Sequence, residues 1–227
     1  DNMTADEKLQ LLIDMEDRPL TKKDGEFIRK MCLDVDALVR SEATSLLMGF
    51  SDFDPVLANQ DIDLLIHLCD DPEMLVRTEA YDAFSGCISK KAEQKLFDCI
   101  QPDKDEISRS FAIFCWADIV SRHAPENRDY SQEIAFIREW LKTETSEHCR
   151  LSCAYALYLF HEKDALEMML SYLNCEDYRI RCSVIHHFQD SARREDIPMI
   201  RTALQQLLKD ETTRAVRSCA EKFLKLL

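Results

Sequence analysis

Leu38-Val39-Arg40-Ser41-Glu42-Ala43 returns as Leu75-Val76-Arg77-Thr78-Glu79-Ala80, and a third version stands near the end of the chain as Ala215-Val216-Arg217-Ser218-Cys219-Ala220. Aligning weaker copies on the arginine gives Arg40, Arg77, Arg109, Arg150, Arg181 and Arg217, with spacings of 37, 32, 41, 31 and 36 residues. That is the period of a helix-turn-helix unit in a solenoid, in which each unit buries its apolar face only by stacking on a neighbour. Six such units account for nearly the whole chain.

The columns of this alignment have physical meaning. Three residues after each arginine stand Ala43, Ala80, Ala112, Cys153, Val184 and Ala220, small side chains that let helices approach closely. Seven after each come Leu47, Phe84, Trp116, Leu157, Phe188 and Leu224, two turns further along the same face and therefore a core column. Six before the arginines stand Asp34, Asp71 and Asp103, positioned to cap the second helix of each unit, with Pro72 at the favoured first helical position. Later units put Glu144, Cys175 and Glu211 there, with Asp177 and Asp210 nearby, so capping is expected to be displaced and the register to shift in the fourth and fifth repeats.

The pattern D-x-x-x-x-V-R-x-x-A at Asp34–Ala43 and Asp71–Ala80 resembles the second-helix signature of the HEAT-repeat (armadillo-like) superfamily, over roughly residues 21–227. The resemblance implies an all-α fold, a right-handed α-α superhelix of about six helical hairpins plus an N-terminal helix, with Asp and Arg columns hydrogen-bonded between neighbouring repeats. Ser108 and Cys149, which precede their arginines, depart from the pattern and would interrupt a regular ladder. The expected layout is a single domain over 1–227, with a capping helix at about 4–16 opened by Thr4-x-x-Glu7. Repeats follow at about 21–50, 54–87, 89–122, 129–161, 163–191 and 193–227, with turns at Ser51–Pro55 and His123–Arg128. Three glycines and six prolines in 227 residues leave room for little but helices and short turns.

Charge narrows the partners. Residues 1–120 carry 13 Lys/Arg against 26 Asp/Glu, whereas 121–227 carry 16 against 17, so nearly all of the net −14 lies in the first half. A face of that sign repels phosphate backbones and disfavours nucleic acid as a ligand. No stretch reaches the roughly 20 apolar residues that span a bilayer. The N-terminal segment is acidic and amphipathic rather than signal-like, with Met3 a candidate native start. The ten cysteines lie in helical segments without a C-x-x-C pair and read as small buried hydrophobes of a reducing cytoplasm. A zinc site at His148, Cys149 and Cys153 lacks further ligands at recognisable spacing, so no metal and no cofactor is expected.

The sequence contains no phosphate-cradling glycine loop, no G-x-S-x-G and no H-E-x-x-H. His161-Glu162 is similar to one of the His-Glu pairs of HEAT-like deoxyhypusine hydroxylases, which need several, and reads as a helix end. Trp116 and Asp118 are similar to the aromatic and carboxylate of HEAT-like alkylpurine DNA glycosylases, but Trp116 falls in the core column. The expectation is therefore a non-catalytic, monomeric scaffold that holds a protein partner on its concave face. The second helices present there the residues two, five and eight or nine after each arginine. Glu42, Glu79 and Asp82 make the first part acidic and suited to a basic partner, while Phe111, Phe114, Tyr155, Tyr158 and His186 make the middle aromatic, as interface anchors or as packing between repeats. An immunity protein neutralising a cationic toxin belongs to the same class, and His187 reads as a packing histidine.

Overall fold

The computed structural model describes residues 3–51, 61–84, 87, 89–100, 105–122 and 124–227, with backbone alone at 48–51. Among them are thirteen α-helices, two short 3-10 turns and no strand. The chain divides into two compact units, Asp1–Pro125 and Glu126–Leu227. Of the turn expected at Ser51–Pro55, Ser51 still belongs to a helix and the rest lies outside the described residues, as does the cap expected at Asp103.

The first unit contains α1 (Ala5–Glu16), α2 (Lys22–Met31), α3 (Ala37–Ser51), α4 (Ile62–Leu68), α5 (Met74–Ala83), α6 (Lys90–Cys99) and α7 (Glu106–Arg122). Helix α1 starts at a capping box in which the Glu7 amide donates to Thr4 Oγ1 and the Thr4 amide donates to Glu7 Oε2, satisfying two amides that would otherwise face water unpaired. Helices α2–α3, α4–α5 and α6–α7 pair as hairpins, the second helices α3, α5 and α7 stack in order, and α1 covers α3.

The second unit contains α8 (Ser131–Leu141), α9 (Glu147–Leu159), α10 (Ala165–Ser171), α11 (Tyr178–Ser191), α12 (Ile197–Asp210) and α13 (Arg214–Leu224). Helices α8–α9 and α12–α13 pair directly, while α10 extends through a 3-10 turn at Tyr172–Asn174 that packs on α11. The second helices α9, α11 and α13 again stack in order.

The small-residue column is fully buried: Ala43, Ala80, Ala112, Cys153, Val184 and Ala220 all have 0% exposure. A larger side chain there has nowhere to go but into the facing helix. Ala80→Leu is therefore expected to overpack the contact of α5 with α3 and cost about 1–3 kcal/mol, whereas Glu79→Ala should change stability by no more than about 0.5 kcal/mol. Urea unfolding of the two variants side by side checks the register. The column seven after the arginines is core from Leu47 to Phe188, but Leu224 is only half-buried and Phe223 takes its place inside. The repeat pattern is thus shifted by one residue at the end of α13.

Two sequence expectations about the turns are corrected. Helix α5 begins at Met74, so Pro72 lies in the turn and not at the first helical position. The acidic column does not cap helix amides: Asp34, Asp71, Glu144 and Glu211 each accept the backbone amide two residues on, from Asp36, Glu73, Ser146 and Thr213, and so close the turn before the helix. Capping of α3 falls instead to Asp36, whose Oδ1 accepts from Leu38 and Val39. In the fifth repeat, where Cys175 cannot serve, Asp177 caps α11 through the Arg179 amide.

The arginine column explains why the acid is needed. Nη1 of Arg40, Arg77, Arg150, Arg181 and Arg217 donates in every case to the carbonyl six residues back, at 3.0, 2.9, 3.0, 2.6 and 2.9 Å. Each of these arginines ties its own turn to its own second helix. The rest of the guanidinium reaches the next repeat: Arg40 grips Asp71 with Nε at 2.7 Å and Nη2 at 2.9 Å, Arg77 meets Asp105, and Arg181 holds Glu211 with Nε at 2.8 Å. Burial is the largest single influence and would raise the Asp71 and Glu211 carboxyls, but the arginine hydrogen bonds, those from the Glu73 and Thr213 amides and the arginine charges together outweigh it and hold both below their ordinary values. Arg109 is half-buried in α7.

Candidate functional site

Stacking α5 on α3 brings together the two glutamates that follow their arginines by two positions. Glu42 and Glu79 are both half-buried, and Asp82 lies one turn beyond Glu79. A third glutamate joins them from outside the repeat pattern: Glu16, at the end of α1, stands beside the Glu42 carboxyl. Nothing in the sequence marked Glu16, because the helix that carries it has no counterpart in the repeats and its contact with α3 is tertiary.

The electrostatics of this cluster are unusual for a surface. Burial, followed by the neighbouring Glu16 and Glu79, pushes the Glu42 carboxyl up to about 7. Glu42 Oε1 is enclosed and has no hydrogen-bond partner. Burial and the neighbouring Asp82 raise Glu79 as well. A carboxyl that keeps its proton because it is buried beside other acids is one that a cation would relieve.

Further along the first unit, on α7, Phe111 is 41% exposed and Phe114 is half-buried. Trp116 is buried against Phe97 at 5.6 Å between ring centres, and Asp118 pairs with Arg122. Neither residue offers the open aromatic and carboxylate surface that base excision would require.

In the second unit the aromatic positions behave differently. Tyr155 and Tyr158 are 1% and 2% exposed, and their hydroxyls are spent between repeats. Tyr155 Oη lies 2.7 Å from Ser191 Oγ, Tyr158 Oη donates to Asp196 Oδ2 at 2.6 Å, and Arg193 covers the Tyr158 ring at 4.1 Å. Both tyrosines therefore belong to the packing of α9 on its neighbours and not to an open face. His187 stacks on Tyr155 at 4.5 Å, and burial followed by the neighbouring His186 lowers its imidazole to about 4, so it packs as a neutral ring. His186 is exposed, with Nε2 3.6 Å from Cys219 Sγ.

His161 and Glu162 follow the end of α9 directly after its C-cap, Phe160. His161 has φ 65°, its amide donates to Tyr158 O, and the Glu162 amide donates to Leu157 O. This left-handed C-terminal closure fixes the pair structurally. The Glu162 carboxylate accepts from Arg138 at 2.8 Å. His148 faces Asp177 at 3.7 Å while Cys149 and Cys153 are buried, and among the described residues no three such side chains gather as a metal site. Among the described residues, no helix is long and apolar enough to cross a membrane.

Paired helices, stacked second helices and an arginine that joins successive turns together define the architecture. This is an armadillo/HEAT-like helical-repeat fold. No protein-family model and no curated protein matches the sequence. Among solved structures, the fold is similar to a chain from the complex of CpcE and CpcF of phycocyanin lyase from Nostoc sp. PCC7120. The TM-score is 0.52 at 15% identity, over 100% of this chain and 98% of that one. A designed armadillo repeat protein aligns with a TM-score of 0.39 at 14% identity, over 87% of this chain and 97% of that one. Human deoxyhypusine hydroxylase in complex with glycerol aligns at 0.45 and 16% identity, over 99% and 91%. At 15% identity the first of these is a likeness of fold alone.

Proposed function

We propose that this chain is a non-catalytic, cytoplasmic protein-binding module whose first unit takes a basic segment of a partner protein on the face formed by Glu16, Glu42, Glu79 and Asp82. The observation that carries the reading is the raised Glu42 carboxyl. Burial, with Glu16 and Glu79 beside it, makes Glu42 keep its proton to about pH 7, and an arriving lysine or arginine would let it ionise. Exposed Phe111 supplies an apolar anchor further along the same row of second helices, where a partner side chain would be desolvated. Seven of the ten cysteines are buried thiols, which fits a reducing compartment.

The reading makes a pH-dependent expectation whose sign follows from linkage. In the free protein the Glu42 proton is held up to about 7, and in the complex a cation lowers that value, so binding releases a proton below neutrality. Affinity for a lysine-rich amphipathic peptide should rise from pH 6 to pH 8 and then level off. Replacing Glu42, Glu79 and Asp82 by lysine should slow association and flatten its dependence on salt, while Phe111→Ala should mainly speed dissociation. Stopped-flow binding across salt and pH separates these effects. A natural partner recovered equally by the wild type and the triple-lysine variant would place binding elsewhere.

A further inference from the structure

We propose that Cys182 and Cys219 form a dithiol switch that a hydroperoxide closes to a disulfide between α11 and α13, with His186 taking the proton from the Cys219 thiol. Three observations bring the parts together. Helices α11 and α13 pack side by side, already joined by Arg181, whose Nε and Nη2 reach Glu211 and whose Nη2 reaches Thr213 at 3.2 Å. Cys182 follows that arginine directly and lies one turn before His186 on the same face of α11, the face on which His186 meets Cys219, so the two thiols are neighbours. On the other side of Cys219, His186 Nε2 lies 3.6 Å from Sγ.

Access separates this pair from the others. Cys182 and Cys219 are half-buried and His186 is exposed, so a small oxidant reaches them from solvent. Cys69 and Cys99 also stand close, and the Cys69 hydrogen bond holds the Cys99 thiol down to about 7, but both are sealed in the core. Burial and the neighbouring Cys219 push Cys182 up to about 11, and Cys219 is the first nucleophile because His186 Nε2 stands 3.6 Å from its sulfur.

The chemistry balances with a hydroperoxide as the two-electron oxidant. Cys219 sulfur attacks the peroxide, the O–O bond breaks, and the leaving alkoxide or hydroxide takes the proton that His186 had accepted. The sulfenic acid so formed is attacked by Cys182 sulfur. The S–O bond breaks, and hydroxide departs with the Cys182 proton as water. The net change is two thiols and one hydroperoxide to one disulfide, one alcohol or water, and one further water. The new bond closes the chain between residues 182 and 219, which restricts the unfolded state and raises the temperature at which the second unit melts. The switch lies in the second unit and does not depend on the acidic face of the first.

The test uses the full chain treated with hydrogen peroxide, blocked with iodoacetamide and digested with trypsin. Peptide 182–193 should appear disulfide-linked to peptide 218–222, and dithiothreitol should release it. His186→Gln should slow formation of the link by about tenfold or more. Cys182→Ser should leave a sulfenic acid on Cys219 that dimedone traps. Both peptides remaining alkylated after peroxide, a Cys69–Cys99 link forming first, or an unchanged rate in His186→Gln would each overturn the proposal.

Discussion

Arg40→Ala is expected to destabilise the first unit by about 3–5 kcal/mol, because it leaves a buried carboxylate without its partner. The side chains of Arg40 and Asp71 are 14% and 8% exposed, which puts the pair in the buried regime and not among surface ion pairs, worth about 0–1 kcal/mol. The same substitution also frees the carbonyls of Asp34 and Val35, so a turn and an inter-repeat contact fail together. Arg40→Lys should recover only part of the loss, since an ammonium cannot grip Asp71 with two nitrogens while holding two carbonyls. Urea titrations with unchanged slopes give the comparison. The pH dependence has a definite sign. The folded Asp71 carboxyl lies below its ordinary value, so the pair's contribution is complete above about pH 4 and is lost as the pH falls through the folded value. Wild type and Arg40→Ala should therefore converge in stability in acid. A difference below about 1 kcal/mol at pH 7 would show that water reaches the pair.

Phe188→Ala should cost about 3–5 kcal/mol, and Leu224→Ala about 1 kcal/mol or less, although the two occupy the same column of the repeat. Phe188 is fully buried in α11 and meets Tyr158 edge-on at 6.4 Å, so truncation opens a cavity between rigid neighbours. Leu224 is half-buried at the end of α13, where Phe223 fills the interior. Calorimetric melting of the two variants decides the matter. Equal losses would mean that α13 keeps the register of the earlier repeats.

The sequence alone determined the helices, their pairing and the small-residue column, because each rests on short-range chemistry repeated every thirty to forty residues. Thr4 with Glu7 opens α1, and Ala43, Ala80 and Ala112 mark where helices touch. It also located the acidic excess in the first half, since charge can be counted without coordinates. The roles of Asp34 and Asp71 were less legible. An acid before a helix reads as a cap, yet the carboxylates close a turn and receive a positive charge from another repeat or, at Asp34, from Lys8. Tyr155 and Tyr158 follow their arginines by five and eight positions, the spacing of an open face. Only the placement of Ser191 and Asp196 beside their hydroxyls makes them interior. The Glu16–Glu42 contact and the Cys182–Cys219–His186 group depend equally on tertiary structure. Each joins residues from different helices at sequence separations that no local pattern specifies, and which groups meet there is decided by how the helices stack.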